Sequence, residues 1–271
     1  APQGRSFKDQ ILTNDEIDLT IAKSPLLVGN KVGTPITING QMPGPLIRLK
    51  EGQQAKLNVT NRLSEDTSIH WHGIILPENM DGVPGVSFEG IKPGRTFKYR
   101  YDVEQNGTYW YHSHSGFQEQ TGMYGAIVID PAESEPYTVD RDYVIMLSDW
   151  SDENPAAIYA TLKKMSHYYN FNERTLGDLM KEIQEKGLSR TWADRKMWNV
   201  MRMSDRDLSD VTGYTYTYLM NGQTPARGWT GLFKRGEKVR LRIINGSAMT
   251  FFDVRIPGLK MTVVAADGQA V

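Results

Sequence analysis

The chain has 271 residues, a formal net charge of −1, 39% hydrophobic and 23% charged residues, which is an ordinary composition for a folded, water-facing chain. That balance gives no reason to expect nucleic acid or an anionic membrane as a partner, and no apolar run approaches the ~18 residues that would span a bilayer. With no Cys among the 271 residues there is neither a disulfide framework nor a thiolate, so any metal must be held by His, carboxylate, Met or water.

The length favours two domains, and 25 Gly with 13 Pro suit many short strands. The chain opens on Ala1-Pro2 without an apolar leader, as expected of a mature exported chain or a trimmed one. Partial alternation at Ile17, Leu19 and Ile21 predicts a first strand over residues 15–24. Residues 34–39 read as another strand, ended by the turn formers of residues 40–45. Leu46, Leu49, Ala55, Leu57 and Val59 continue short strands as far as Asn61. Residues 76–94 are rich in Gly and Pro and read as a loop. Phe97, Tyr99 and Tyr101 alternate cleanly, and residues 108–114 and 125–129 add two further strands. Short strands at this spacing predict a β-sandwich or barrel over residues 1–133.

Residues 131–136 read as a linker, and a second domain is expected over 137–271. It restarts with strand pattern at 143–147 and then changes character. Asn154-Pro155 is an N-cap with Pro at the first helical position, and Ile158, Leu162 and Met165 follow at helical spacing. Thr175 and Asp178 resemble a capping box, and Gly187 ends the helix that they open. Trp192, Met197, Trp198 and Met201 suggest a third helix, so residues 154–207 form a helical insertion packed outside the sandwich through Ile158, Leu162, Leu179, Trp192 and Trp198. Met165, Met180, Met197, Met201 and Met203 fall in the same stretch, where thioethers either fill a core or hold Cu(I). Strands resume at 214–219.

The chain repeats itself. Ile38-Asn39-Gly40-Gln41, followed 22 residues after Asn39 by Asn61, is matched by Met220-Asn221-Gly222-Gln223 and then Asn245 after 24. Where the first copy reaches residues 70–72 the second reaches 251–254, which hold no His. The second copy stops early, so the second domain is expected to be incomplete.

Four of the five histidines form two His-x-His pairs, His70-Trp71-His72 and His112-Ser113-His114. On a strand, residues two apart share a face, so each pair offers two imidazoles to one metal site. Both pairs lie in the same repeat, and all four rings are expected to converge on an open face, with binding weakening below about pH 6.5, the ordinary His range. Four neutral imidazoles suit Zn, Cu, Ni or Fe. A cupin would place a Glu three or four residues after the pair and then a lone His, whereas Glu78 comes six after His72 and a second pair follows.

His70-Trp71-His72-Gly73, together with Trp110-Tyr111-His112-Ser113-His114 on this repeat, resembles the first half of the multicopper oxidase signature. The helical insertion and residues 195–222 narrow the resemblance to the bacterial copper-resistance oxidases of that family. The resemblance implies tandem cupredoxin-like Greek-key β-sandwich domains and periplasmic export. It implies a copper cluster in which His70 serves the type 2 ion and His72, His112 and His114 the type 3 pair. Asp81 then matches an acidic residue that assists proton delivery to oxygen. The partners implied are O2 and Cu(I) or a phenolic reductant. The family's remaining ligands and its type 1 site sit in a last, Cys-containing cupredoxin domain that this sequence does not include. The alternative is a copper-binding or sequestering protein without turnover.

Overall fold

The computed structural model describes residues 11–85, 87–166, 168–169, 174–201 and 215–271. The first unit runs through β1 (Ile11–Leu12), β2 (Ile17–Lys23), β3 (Leu26–Val28), β4 (Lys31–Gly33), β5 (Ile36–Ile38) and β6 (Leu46–Lys50). It continues with β7 (Gln54–Asn61), β8 (His70–His72), β9 (Thr96–Asp102), β10 (Gly107–His112) and β11 (Tyr124–Asp130). These form a five-stranded sheet in the order β1-β6-β11-β10-β8, a four-stranded sheet β5-β2-β7-β9, and a β3-β4 hairpin. Alternation drives the two large sheets together. Leu19 and Ile21 of β2, Leu57 and Val59 of β7 and Tyr99 of β9 meet Ile47, Trp71, Tyr111 and Ile127 from the facing sheet in one core. Trp71, Tyr99 and Tyr111 are fully buried. At ~150–250 Å² apiece and ~25 cal/mol per Å², each contributes at most about 4–6 kcal/mol of transfer free energy.

The second unit contains β12 (Arg141–Trp150), α1 (Pro155–Lys164), α2 (Leu176–Lys186), α3 (Leu188–Asp194), α4 (Lys196–Met201), β13 (Thr217–Met220), β14 (Val239–Asn245), β15 (Ala265–Ala266) and β16 (Gln269–Ala270). Its main sheet has the order β13-β12-β14, and β15 pairs β16. This sheet lies against the outside of the first unit. Met146 and Ile244 cover Leu46, Tyr124, Ala126 and Val128 in a shared apolar cluster. Polar contacts lock the junction: Tyr124 Oη bonds Ser148 Oγ at 2.9 Å, and Arg242 Nη1 donates to Thr108 Oγ1 at 2.8 Å.

The internal repeat is structural as well as textual. Asn39 and Asn221 both take positive φ, 53° and 50°, in turns closed by the bridges Ile38↔Gln41 and Met220↔Gln223. Asn39 Oδ1 accepts from Thr20 N at 2.7 Å while its amide donates to Asp18 O. Asn221 does the same with Met146 N, at 2.7 Å, and Val144 O. Both asparagines thereby pin a turn to the strand beside it, and β2∥β7 corresponds to β12∥β14. Residues 251–254, the expected counterpart of the first His strand, carry no strand.

The helices appear where their caps predict. Asn154 accepts from Ala156 N at 2.9 Å, and Thr175 and Asp178 close a complete capping box. The expected third helix is two short ones broken at Arg195. Ile158 packs with Leu162, Tyr169 and Tyr216, and Trp198 is buried. Trp192 is a correction: it is 64% exposed, because its neighbours Thr191 and Arg195 take the inward side of α3. Met165, Met180 and Met197 are also exposed rather than packed. The side chain of Met201 and all of Met203 and residues 202–207 lie outside the described residues. No helix among the described residues is long and apolar enough to cross a membrane.

Candidate metal centre

The antiparallel pairing of β8 with β10 sets His72 opposite Trp110, Trp71 opposite Tyr111 and His70 opposite His112. Paired residues share a face, so Trp71 and Tyr111 enter the core while His70, His72, His112 and Trp110 stand on the outer side. The ring centroid of His70 lies 5.4 Å from those of His72 and His112 and 5.7 Å from that of His114. Ring nitrogens of His70, His72 and His112 all fall within 4.8 Å of one another. His114 joins less tightly. The strand ends at His112, and His114 is exposed with its ring 6.1 Å from that of His112. Strand alternation therefore accounts for the first pair but not for the second. Ser68 Oγ, which accepts from His114 N at 3.1 Å, is what returns that residue toward the cluster.

Two of the rings are oriented from behind. Nδ1 of His70 sits 2.9 Å from the carbonyl oxygen of Asp81 and 3.2 Å from its Oδ1. Nδ1 of the buried His112 sits 2.8 Å from the carbonyl oxygen of Ser113 and 2.9 Å from Glu119 Oε2. Acceptors at Nδ1 place the ring proton there, so each Nε2 offers its lone pair toward the other rings. His72 turns the opposite nitrogen inward, with Nδ1 3.1 Å from His112 Nε2. Trp110 stacks against both rings, 5.0 Å from His72 and 4.2 Å from His112. Burial, and after it the charges of His112 and His70, lowers the pKa of His72. That ring stays neutral, and so able to bind a metal, to lower pH than an ordinary His.

Asp81 reaches His70 because Gly82 lets the chain cross tightly. Asp81 ends a short 3-10 turn, Glu78–Met80. Gly82 has φ +76° and lies so close to Ile69 that a Cβ would stand 1.8 Å from the Ile69 carbonyl oxygen. The Asp81-Gly82 dipeptide is thus both a turn element and a support for His70.

A buried polar clamp ties the two His-bearing segments together. Gln118 Oε1 accepts from Thr67 Oγ1 at 2.6 Å and Ser113 Oγ at 2.9 Å, and its Nε2 donates to Asp66 O at 2.8 Å. Ser68 and Ser115 hydroxyls add a 2.8 Å bond. Gln118 and Glu119 are absent from the sequence reading, and Trp110 enters it only as part of the second motif, with no role of its own. No spacing rule marks them; the available signal was that a ligating His requires an acceptor behind it, and the loop after the second pair carries Gln118-Glu119-Gln120.

Three convergent imidazole nitrogens, two of them fixed in one tautomer, suit copper and its borderline-soft neighbours. Comparison with known proteins bears on which. Residues 21–134 match one multicopper oxidase family model, and residues 141–271 match another. Copper resistance protein A of Escherichia coli is 62% identical over 260 residues, 96% of this chain and 43% of that protein. The multicopper oxidase MmcO of Mycobacterium tuberculosis is 34% identical over 256 residues, 93% of this chain and 47% of that protein. Among solved structures, the blue copper oxidase of Nitrosomonas europaea aligns with a TM-score of 0.60 at 28% identity, over 86% of this chain and 61% of that one. The chain thus spans less than half the length of the two curated relatives.

Proposed function

Because the chain belongs to the multicopper oxidase family, we propose that it supplies the first four histidine ligands of a copper cluster completed by the remainder of a longer protein. In this reading His70 serves a type 2 copper, and His72, His112 and His114 serve a type 3 pair. Bound copper would supply one-electron steps that couple oxidation of Cu(I) or a phenol to four-electron reduction of O2 to water. The observation that carries the reading is the approach of the His70, His72 and His112 ring nitrogens to within 4.8 Å. The bonds from Nδ1 of His70 and His112 support it, because they hold both rings as ligands before any metal arrives. Trp110 stacks on His72 and His112 and covers one side of both rings. The Asp81 carboxylate, partly exposed and 3.2 Å from His70 Nδ1, is positioned to hold a proton next to the cluster and pass it on. A periplasmic location and a role in copper resistance belong to the same proposal.

A second reading is copper holding without turnover by the same converging histidines. Copper titration followed by metal analysis tests the common ground. One or two copper ions per chain are expected, and replacing His70, His72 and His112 by Ala should abolish binding. A chain that binds no copper overturns both readings. Oxygen uptake with a phenol by the longer, copper-loaded gene product separates them, because a holding protein consumes none.

A further inference from the structure

The loop after β10 makes four consecutive and different contacts. Phe117 meets the ring of Tyr159 on α1 at 5.5 Å, and Gln118 forms the clamp to Thr67, Ser113 and Asp66. Glu119 places Oε2 2.9 Å from Nδ1 of His112, and Gln120 Nε2 donates to Tyr216 Oη at 3.1 Å. Glu119 is therefore held from both sides: its neighbours are fixed to the first sandwich on one flank and to the second unit on the other. The arrangement at His112 also repeats the one at His70. In each case Nδ1 faces one backbone carbonyl and one carboxylate, Asp81 for His70, and Ser113 with Glu119 for His112. Asp81 follows His70 by 11 residues and Glu119 follows His112 by 7, so the likeness is geometric and no shared spacing announces it.

We propose that Glu119 is a positioning residue for the metal centre, with its carboxylate locking the buried His112 ring so that Nε2 faces the cluster and strengthening that nitrogen as a ligand. The inference rests on the copper-site reading above. The physical basis is general: a charged acceptor behind a ligating imidazole fixes the tautomer and the ring plane and raises ligand basicity. The carbonyl of Ser113 shares the same proton, so Glu119 adds charge and ring orientation to a bond that already exists. His72 Nδ1 lies 3.1 Å from the inward Nε2 of His112, within reach to donate to it, and a cation bound at that Nε2 would take the place of this hydrogen bond.

Two measurements on the whole chain test this. The first needs no metal: ring 15N shifts should show His112 protonated at Nδ1 in the native chain, with the Glu119→Ala chain populating a second tautomer. The second is titration with Cu(II) alone. Glu119→Ala should weaken binding about 10- to 100-fold, the usual cost of losing a partner behind a ligating His. Glu119→Gln keeps an acceptor without the charge, so it should fall between and shift the Cu(II) hyperfine splitting. Urea unfolding of all three chains should coincide, which separates positioning from folding. A native His112 protonated at Nε2 overturns the proposal whatever the metal does. So does Cu(II) binding by both variants with native affinity and native spectrum. A native chain that shows the Nδ1 tautomer yet binds no Cu(II) defeats the copper-site reading, and this proposal with it.

Discussion

Replacing Gln118 by Met keeps the volume and removes the clamp. Gln118 is buried, with three side-chain hydrogen bonds of 2.6, 2.9 and 2.8 Å to Thr67, Ser113 and Asp66. A neutral hydrogen bond contributes about 1 kcal/mol net, and a buried polar atom left without a partner costs about 1–3 kcal/mol. The losses are partly cushioned. Ser113 Oγ keeps the Ser115 N–H at 3.1 Å, and Thr67 Oγ1 keeps Met123 Sδ at 3.3 Å. Asp66 is exposed, so water can take over at its carbonyl. The expected cost is thus about 2–3 kcal/mol rather than the full sum of three bonds and their penalties. Urea unfolding should show this as a lower midpoint at unchanged slope. Because the clamp joins the segment before β8 to the segment after β10, the same variant should also weaken Cu(II) binding about tenfold. A loss under about 1 kcal/mol together with native Cu(II) affinity would show that the two His segments are spaced by their strands alone.

Further outcomes follow from the same geometry. His112→Ala should lose most Cu(II) affinity and His114→Ala much less, since only the former removes a member of the 4.8 Å triad; equal losses in isothermal titration would refute the ranking. Gly82→Ala forces a Cβ to 1.8 Å from the Ile69 carbonyl oxygen at φ +76°. It should cost ~1–3 kcal/mol of stability and displace Asp81 from His70, visible as a changed His70 ring shift by NMR. Asp142 experiences burial, which pushes its pKa up, but hydrogen bonds from Arg242 and Arg240 outweigh this and hold it below the ordinary carboxylate range. Its contribution is therefore complete above the unfolded pKa of about 4 and fades as pH falls through the lower folded value. Asp142→Asn should cost ~3 kcal/mol at neutral pH, with the gap to the native chain closing in strong acid; a pH-independent gap in denaturant melts would refute the assignment.

Much of this was legible in the residues. Ile17, Leu19 and Ile21 alternate because β2 has one buried face, and the Asn154-Pro155 and Thr175–Asp178 signals name helix starts that the chain uses. The repeat was legible through Asn39 and Asn221, whose left-handed backbone and paired hydrogen bonds leave little choice of residue. The approach of His70, His72 and His112 to one another was legible because few histidines occur outside the two pairs. The exposure of Trp192 was hidden, because Thr191 and Arg195 occupy the inward positions only once Arg195 reaches Glu182 at 2.7 Å. The end of β10 at His112 was hidden for a related reason. Ser115 is spent on Ser68, and Gln118, which takes the Ser113 hydroxyl, is itself held by Asp66; these two cross-links exist only when segments some 50 residues apart have already met. Glu119 shares that cause: a carboxylate in a polar loop reveals nothing until the fold shows what stands opposite.

One strand sets how the metal centre and the second unit share a fate. In β11, Ile127 and Ile129 belong to the first core while Tyr124, Ala126 and Val128 belong to the junction. A strand with solvent on one side can flex outward when its neighbour shifts; β11 has no such slack. It is paired residue for residue to β10, with His112 opposite Tyr124 and Trp110 opposite Ala126. In the proposed copper site, tightening the imidazoles around a cation would pull on a rib that the second unit grips from behind. A defect at Met146 or Ile244 is therefore expected to loosen the footing of the histidines from a distance. On the proposed copper-site reading, copper affinity and the integrity of the junction are expected to change together.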